Sequence, residues 1–233
     1  MRNYVIINGT NSLTIQGLAI NIMPPISKPS MRTLREEIDG RNGDIITNLG
    51  YSAYDRAIEV GLYGNYDVNE VIAFFNQNGS IVFSDEDDKL YYFNSLEQID
   101  FARLIKFRTA TITFHCQPFK YKLNETAQTI TSGNNTIINQ GNVYSKPIIV
   151  LSGSGTISIS LNNIQYFSIN MSGITSITID TDKMEAYDTN NGNLLNRHVI
   201  GDYSKFEVPV GTNTLSLSGT IGTATINKIT RWL

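Results

Sequence analysis

The sequence predicts a mainly β protein in two domains, α+β in the first and all β in the second. Three observations lead there. Short runs rich in Ile, Val, Thr, Tyr and Phe recur along the whole chain, separated by Gly, Asn and Asp. Only one stretch carries a helical pattern with its own start and stop signals. The composition also changes near Leu123: charged and aromatic residues crowd the part before it, whereas Ser, Thr, Asn, Gly and Ile dominate after it. The polar stretch 123–142, with Gly133-Asn134-Asn135 as a turn signal, reads as a linker between domains 1–122 and 143–233.

In the first domain, residues 4–7 and 13–15 are short apolar runs around the turn dipeptide Asn8-Gly9. Pro24, Pro25 and Pro29 exclude helix and central strand from residues 22–30. The one helix is marked by Asp67 and Glu70 in a capping-box pattern, by Val68, Val71, Ile72 and Phe75 on one face, and by Gly79 as the stop. Residues 81–83 and 90–93 flank the acidic turn 85–88 and predict a hairpin. Residues 107–116 alternate β-branched and aromatic side chains and predict a long strand.

In the second domain the predicted strands are 148–151, 156–161, 165–169, 176–179 and 214–217, spaced as in a sandwich or barrel. The alternation in TISIS and SITID gives each of those strands one wet face. Gly153-Ser154-Gly155 reads as a hairpin turn.

Composition excludes several functions. A formal net charge of −3 speaks against a surface built to grip phosphate backbones. The single cysteine, Cys116, cannot close a disulfide or a cysteine-based zinc site. No stretch is long and apolar enough for a signal peptide or a membrane-spanning helix. Charged residues make up 17% of the chain, against about 25% in ordinary soluble domains, and a surface poor in charge suits coverage by other subunits.

Catalytic groups are sparse. His115 and His198 fit no metal-ligand spacing, and no metal or other cofactor is expected. His115 and Cys116 are adjacent, but neighbours in a strand point to opposite faces and cannot form a dyad. The run Asp85-Glu86-Asp87-Asp88 lacks the spacing of a calcium loop and reads as a solvated hairpin tip. Asp180, Asp182 and Glu185 could flank a glycosidic bond, although carboxylates in turns are common. Tyr144, Tyr166, Phe167, Tyr187, Tyr203, Phe206 and Trp232 could form a sugar-stacking platform or fill a sandwich core.

The order of short motifs resembles the distal tail proteins of siphophages. Ile38-Asp39-Gly40-Arg41-Asn42-Gly43-Asp44 is similar to a glycine-flanked stretch of that family and is followed by a Tyr-led strand from Tyr54 to Val60. After the helix come Gly79 to Glu86, a Tyr-containing strand, and Phe114-His115-Cys116-Gln117-Pro118-Phe119-Lys120-Tyr121. The second domain opens on Asn139 to Ile149 and ends near Pro209-Val210-Gly211-Thr212-Asn213-Thr214-Leu215, again as in that family.

The resemblance implies a tail-tube-like β-barrel or split sandwich with one helix, closing into a hexameric ring, and a galectin-like β-sandwich. It implies a non-enzymatic virion protein at the phage tail tip. Its partners would be the tail tube protein, a tail-associated hub or lysin protein, the tape measure protein and receptor-binding proteins. A carbohydrate-binding module contacting cell-wall glycans is the second reading, and a glycan-degrading enzyme the third. The segment 23–50, with its prolines and mixed charges, cannot bury itself in its own core. It is therefore expected to reach a neighbouring subunit, with Arg32, Arg35, Arg41 and Asp44 as contact candidates.

Overall fold

The computed structural model describes the backbone of residues 2–94 and 101–233. The chain divides into two units, Met1–Leu123 together with Leu233, and Asn124–Trp232.

Unit 1 begins with β1 (Val5–Ile7) and β2 (Thr10–Asn11), joined by Asn8-Gly9. Asn8 has φ 47° and Gly9 φ 85°, the left-handed pair that a tight hairpin turn demands. Residues 13–15, expected to be extended, instead lie in or beside a 3-10 turn over Ser12–Thr14. The cause is local: the Asn11 side chain accepts a hydrogen bond from the Leu13 amide at 2.9 Å and folds the backbone. The strand comes later, as β3 (Leu18–Ile22). Among the described residues β4 (Met31–Glu36) and β5 (Ile45–Tyr51) pair only with each other. Next are β6 (Tyr54–Leu62) and α1 (Val68–Phe75). The Asp67 side chain caps α1, accepting from the Asn69 amide at 2.8 Å, and Val71, Phe74 and Phe75 are buried. β7 (Gly79–Phe83), β8 (Lys89–Asn94), α2 (Phe101–Phe107) and β9 (Thr109–Lys122) complete the unit.

The main sheet of unit 1 runs β2-β1-β7-β8-β9-β6-β3. Val5, Ile7, Ile58, Phe75, Ile81, Phe83, Tyr91, Ile112 and Phe114 pack at its centre with 0–1% of their surface exposed. Each such side chain contributes roughly 1.5–3 kcal/mol by leaving water. Two expectations need correction. A second helix, α2, joins the one predicted; Leu104 is buried in it while Ile105 and Phe107 are exposed. The long strand predicted over 107–116 runs on through Pro118 as β9. The register between β8 and β9 shifts there, between Tyr91 and Phe93, and β6 pairs with β9 only as far as Cys116, so a residue without an amide proton is tolerated.

Unit 2 is built on two long bent strands. Its elements are β10 (Gln128–Ile130), β11 (Gly133–Asn139), β12 (Ile148–Leu161), β13 (Ile164–Asn170), β14 (Ser176–Asp180), β15 (Glu185–Tyr187), β16 (Val199–Gly201) and β17 (Gly211–Asn227). β12 pairs with β14 through its first half and with β13 through its second, while β17 lies along both halves. Gly153-Ser154-Gly155 is therefore the corner of a continuous strand and not a hairpin turn. A Cβ at Gly153 would stand 2.2 Å from the Thr220 carbonyl oxygen, so only glycine lets the two backbones bend together here.

The stretch 123–142 is not a free linker. β10 and β11 both pair with β17, and Ile130 and Ile137 are 2% and 0% exposed. The core packs Ile149, Ile157, Ile159, Phe167, Ile169, Ile177, Ile179, Phe206, Leu215 and Ile226. SITID has no wet face, since Thr178 and Asp180 are also buried; Thr178 reaches Thr189 on the connection after β15.

Candidate subunit interface

The hairpin β4–β5 contributes no residue to the core of unit 1. Every residue of β4 is exposed, and in β5 only the first and last residues are even partly covered. Its register is Glu36 opposite Ile45, Arg35 opposite Ile46, Leu34 opposite Thr47 and Thr33 opposite Asn48. The Ser52 amide donates to the Ser30 carbonyl at 2.9 Å and closes the base. Arg32 clips the two strands by donating from Nη2 to the Leu49 carbonyl at 3.1 Å. At the other end the Arg41 amide donates to the Ile38 carbonyl at 3.1 Å, and Gly40 and Gly43, with φ 81° and 79°, turn the chain back.

Strand alternation sorts the side chains into two faces. Leu34, Ile45 and Leu49 share one with Arg32 and Glu36, and Ile46 shares the other with Arg35. Leu34, Ile46 and Leu49 are 47%, 59% and 52% exposed, and Ile38 at the tip is 49% exposed. A lone two-stranded hairpin is marginal in water. One that also displays aliphatic side chains on both faces gains most from being covered. Arg32, Arg35, Arg41 and Asp44 all lie on this element, Arg32 and Arg35 in β4 and the other two around the tip.

A second constellation sits inside unit 1. Arg56 occupies an inward position of β6, in line with Ile58 and Val60, and its side chain is 1% exposed. Its guanidinium lies 4.2 Å from the Phe83 ring centre and 4.6 Å from that of Tyr91. Glu86 turns in from the β7–β8 turn to meet it: Lys120 Nζ donates to Glu86 Oε1 at 2.7 Å, Arg56 Nη1 approaches Oε2 at 3.5 Å, and the Tyr91 hydroxyl also donates to Oε2. Burial pushes the Glu86 carboxyl up, but the hydrogen bonds from Lys120 and Tyr91 and the charges of Lys120 and Arg56 outweigh it, and the pKa falls below the ordinary value. Burial and the bond to Glu86 push the Tyr91 phenol up. The expected solvated tip is thus only partly solvated. Part of the signal was in the sequence, where Arg56 takes an inward position in an apolar alternation, but its acidic partner lies thirty residues further on.

The other candidate groups are engaged structurally. His115 pairs with Asp55 at 2.7 Å on the outer face, while Cys116 is fully buried and its thiol is pushed up to about 12, mainly by that burial. Asp180 is buried and accepts from the amides of Asp182 and Lys183 at 3.1 and 3.0 Å, which holds a turn. Asp182 faces Arg231 at 3.8 Å. Tyr166, Phe167, Tyr203 and Phe206 stack on one another with ring centres 5.1–5.2 Å apart and do not form an open platform. Among the described residues no group of three or more His, Cys, Asp or Glu side chains could hold a metal ion.

Fold and site together define a two-unit, mainly β protein with an exposed two-stranded arm. The same architecture, over 100% of both chains and with a TM-score of 0.67 at 16% identity, is found in the Dit (gp 19.1) protein of phage SPP1. That protein is described as a paradigm of the hub adsorption apparatus of phages infecting Gram-positive bacteria. A chain of the phage P2 baseplate in its activated conformation with calcium aligns over 97% of each chain, at 10% identity and a TM-score of 0.45. No family model and no curated protein matches the chain.

Proposed function

We propose that this chain is a structural subunit of a phage tail tip, a distal tail (baseplate hub) protein. In this reading unit 1 closes into a hexameric ring that joins the tail tube to the adsorption apparatus, and unit 2 is a galectin-like sandwich. The protein is non-enzymatic. Its neighbours are the tail tube protein, the tail-associated hub protein, and in some particles the tape measure and receptor-binding proteins. The observation that carries the reading is the agreement with SPP1 Dit along the whole of both chains, not over one shared domain.

The β4–β5 hairpin supports it. An arm exposed on both faces is the element a ring subunit needs for a heterologous contact with its neighbour. Arg32, Arg35, Arg41 and Asp44 then lie in that contact, where charges of both signs set register more than they add affinity. Antibodies raised against the purified chain test the location. Labelling confined to the tail tip of intact virions supports the reading; labelling of the head, or of no part of the particle, contradicts it.

A further inference from the structure

We infer that the tip of the β4–β5 hairpin docks, in a second copy of the chain, on a basic and aromatic patch formed by Arg2, Tyr63, Tyr66, Lys106, Phe107 and Arg108. The inference rests on the ring reading above and names the surface that receives the arm.

The tip is acidic. Beyond Arg35 and Glu36 at its base, Glu37, Asp39 and Asp44 face a single cation, Arg41, around the exposed Ile38. The patch has the opposite sign and lies at the end of the sheet where β6 finishes and β9 begins. Gly61 pairs with Thr109, the Leu62 amide donates to the Arg108 carbonyl at 2.9 Å, and the Tyr63 amide donates to the Gly17 carbonyl at 2.9 Å. These backbone bonds hold Tyr63 beside Phe107 and Arg108.

Each cation of the patch rests on a ring. Arg2 lies 5.4 Å from the Tyr63 centre and donates to its hydroxyl at 2.5 Å; Lys106 is 5.4 Å from Phe107, and Arg108 is 4.7 Å from Tyr66. None of the three has an ion-pair partner among the described residues. Asp67, next to Tyr66, is engaged in capping α1. Tyr63 and Phe107 are 50% and 61% exposed, so the patch offers apolar area as well as charge.

Arginine and aromatic side chains are the types enriched at protein interfaces. Rings that already hold the cations in place reduce the side-chain entropy lost on docking. Tip and patch are both exposed in the single chain, so the tip is not seated on its own patch. A second copy brings an acidic tip to a basic patch, and repetition of that heterologous contact generates a ring when the rotation closes.

Charge reversal tests the pairing. One variant carries Lys106→Glu and Arg108→Glu, the other Glu37→Lys and Asp39→Lys, and each is first checked for an unchanged melting temperature. Each variant alone should lose the oligomer, with association weakened about tenfold or more, because like charges then meet across the contact. An equimolar mixture should recover it, since the two variants alternate compatibly around an even-numbered ring, and all four changes in one chain should recover it too. If a variant assembles as well as the wild type, or if mixing restores nothing, the tip–patch pairing is wrong while the ring reading stands. A wild-type chain that is monomeric at every concentration and in particles would overturn both.

Discussion

Glu86→Gln isolates the charge of the buried cluster in unit 1. The substitution keeps size and one acceptor oxygen but leaves Lys120, 9% exposed, and Arg56, 1% exposed, without their shared carboxylate. Removing one member of a buried ion pair costs about 3–5 kcal/mol, because the remaining charge stays buried. Asp85 still lies 3.5 Å from Arg56 Nη2, which places the expected loss near the lower end, about 3 kcal/mol. For a domain of this size that corresponds to a fall of roughly 10–15 °C in melting temperature. Calorimetry on the full chain should show the fall in the transition of unit 1.

The dependence on pH supplies an independent check. The folded Glu86 pKa lies below the ordinary glutamate value. Its contribution is therefore fully present above that value and is lost as pH falls through the lower folded value. Wild type and variant should differ most at neutral pH and converge in acid. A melting temperature lowered by less than about 3 °C at neutral pH, or a gap that does not narrow in acid, would refute the assignment of Glu86 as the charge that holds Arg56 and Lys120.

Four further outcomes are expected. Leu34→Lys with Leu49→Lys, both about half exposed on one face of the arm, should leave the melting temperature unchanged while abolishing the oligomer in light scattering. Gly153→Val should lower the stability of unit 2 by about 1–3 kcal/mol in urea titration, because its Cβ would collide with the Thr220 carbonyl. Asp67→Ala should cost about 1 kcal/mol through loss of the α1 cap, measured the same way. Cys116 should resist maleimide in the native protein and react at the rate of unfolding, since the thiol is buried and its pKa is raised.

The sequence showed clearly those features in which local chemistry and burial agree. Asp67 and the Val71–Phe75 face mark α1, and Asn8-Gly9 marks the first hairpin, because each depends on residues a few positions apart. Features that depend on distant partners were hidden. Gly153-Ser154-Gly155 satisfies a tight turn and a strand corner equally well, and only the close approach of Thr220 decides between them. β10 and β11 looked like linker because their outward positions are polar, and their partners in β17 lie between 72 and 98 residues away. The arm was expected as a segment that cannot bury itself, but its strands were not, since β4 and β5 are exposed on both faces and show no apolar–polar alternation. Glu86 pointed inward for a reason that Arg56, thirty residues earlier, supplies.

The mass of the chain in solution tests the proposed ring most directly. Native mass spectrometry of the purified protein at micromolar concentration should show a species of six 26.0 kDa chains, about 156 kDa, which dissociates when the β4–β5 arm is altered. A chain that stays at 26.0 kDa across the concentration range, with no six-fold density at the tail tip in electron micrographs of virions, would contradict it.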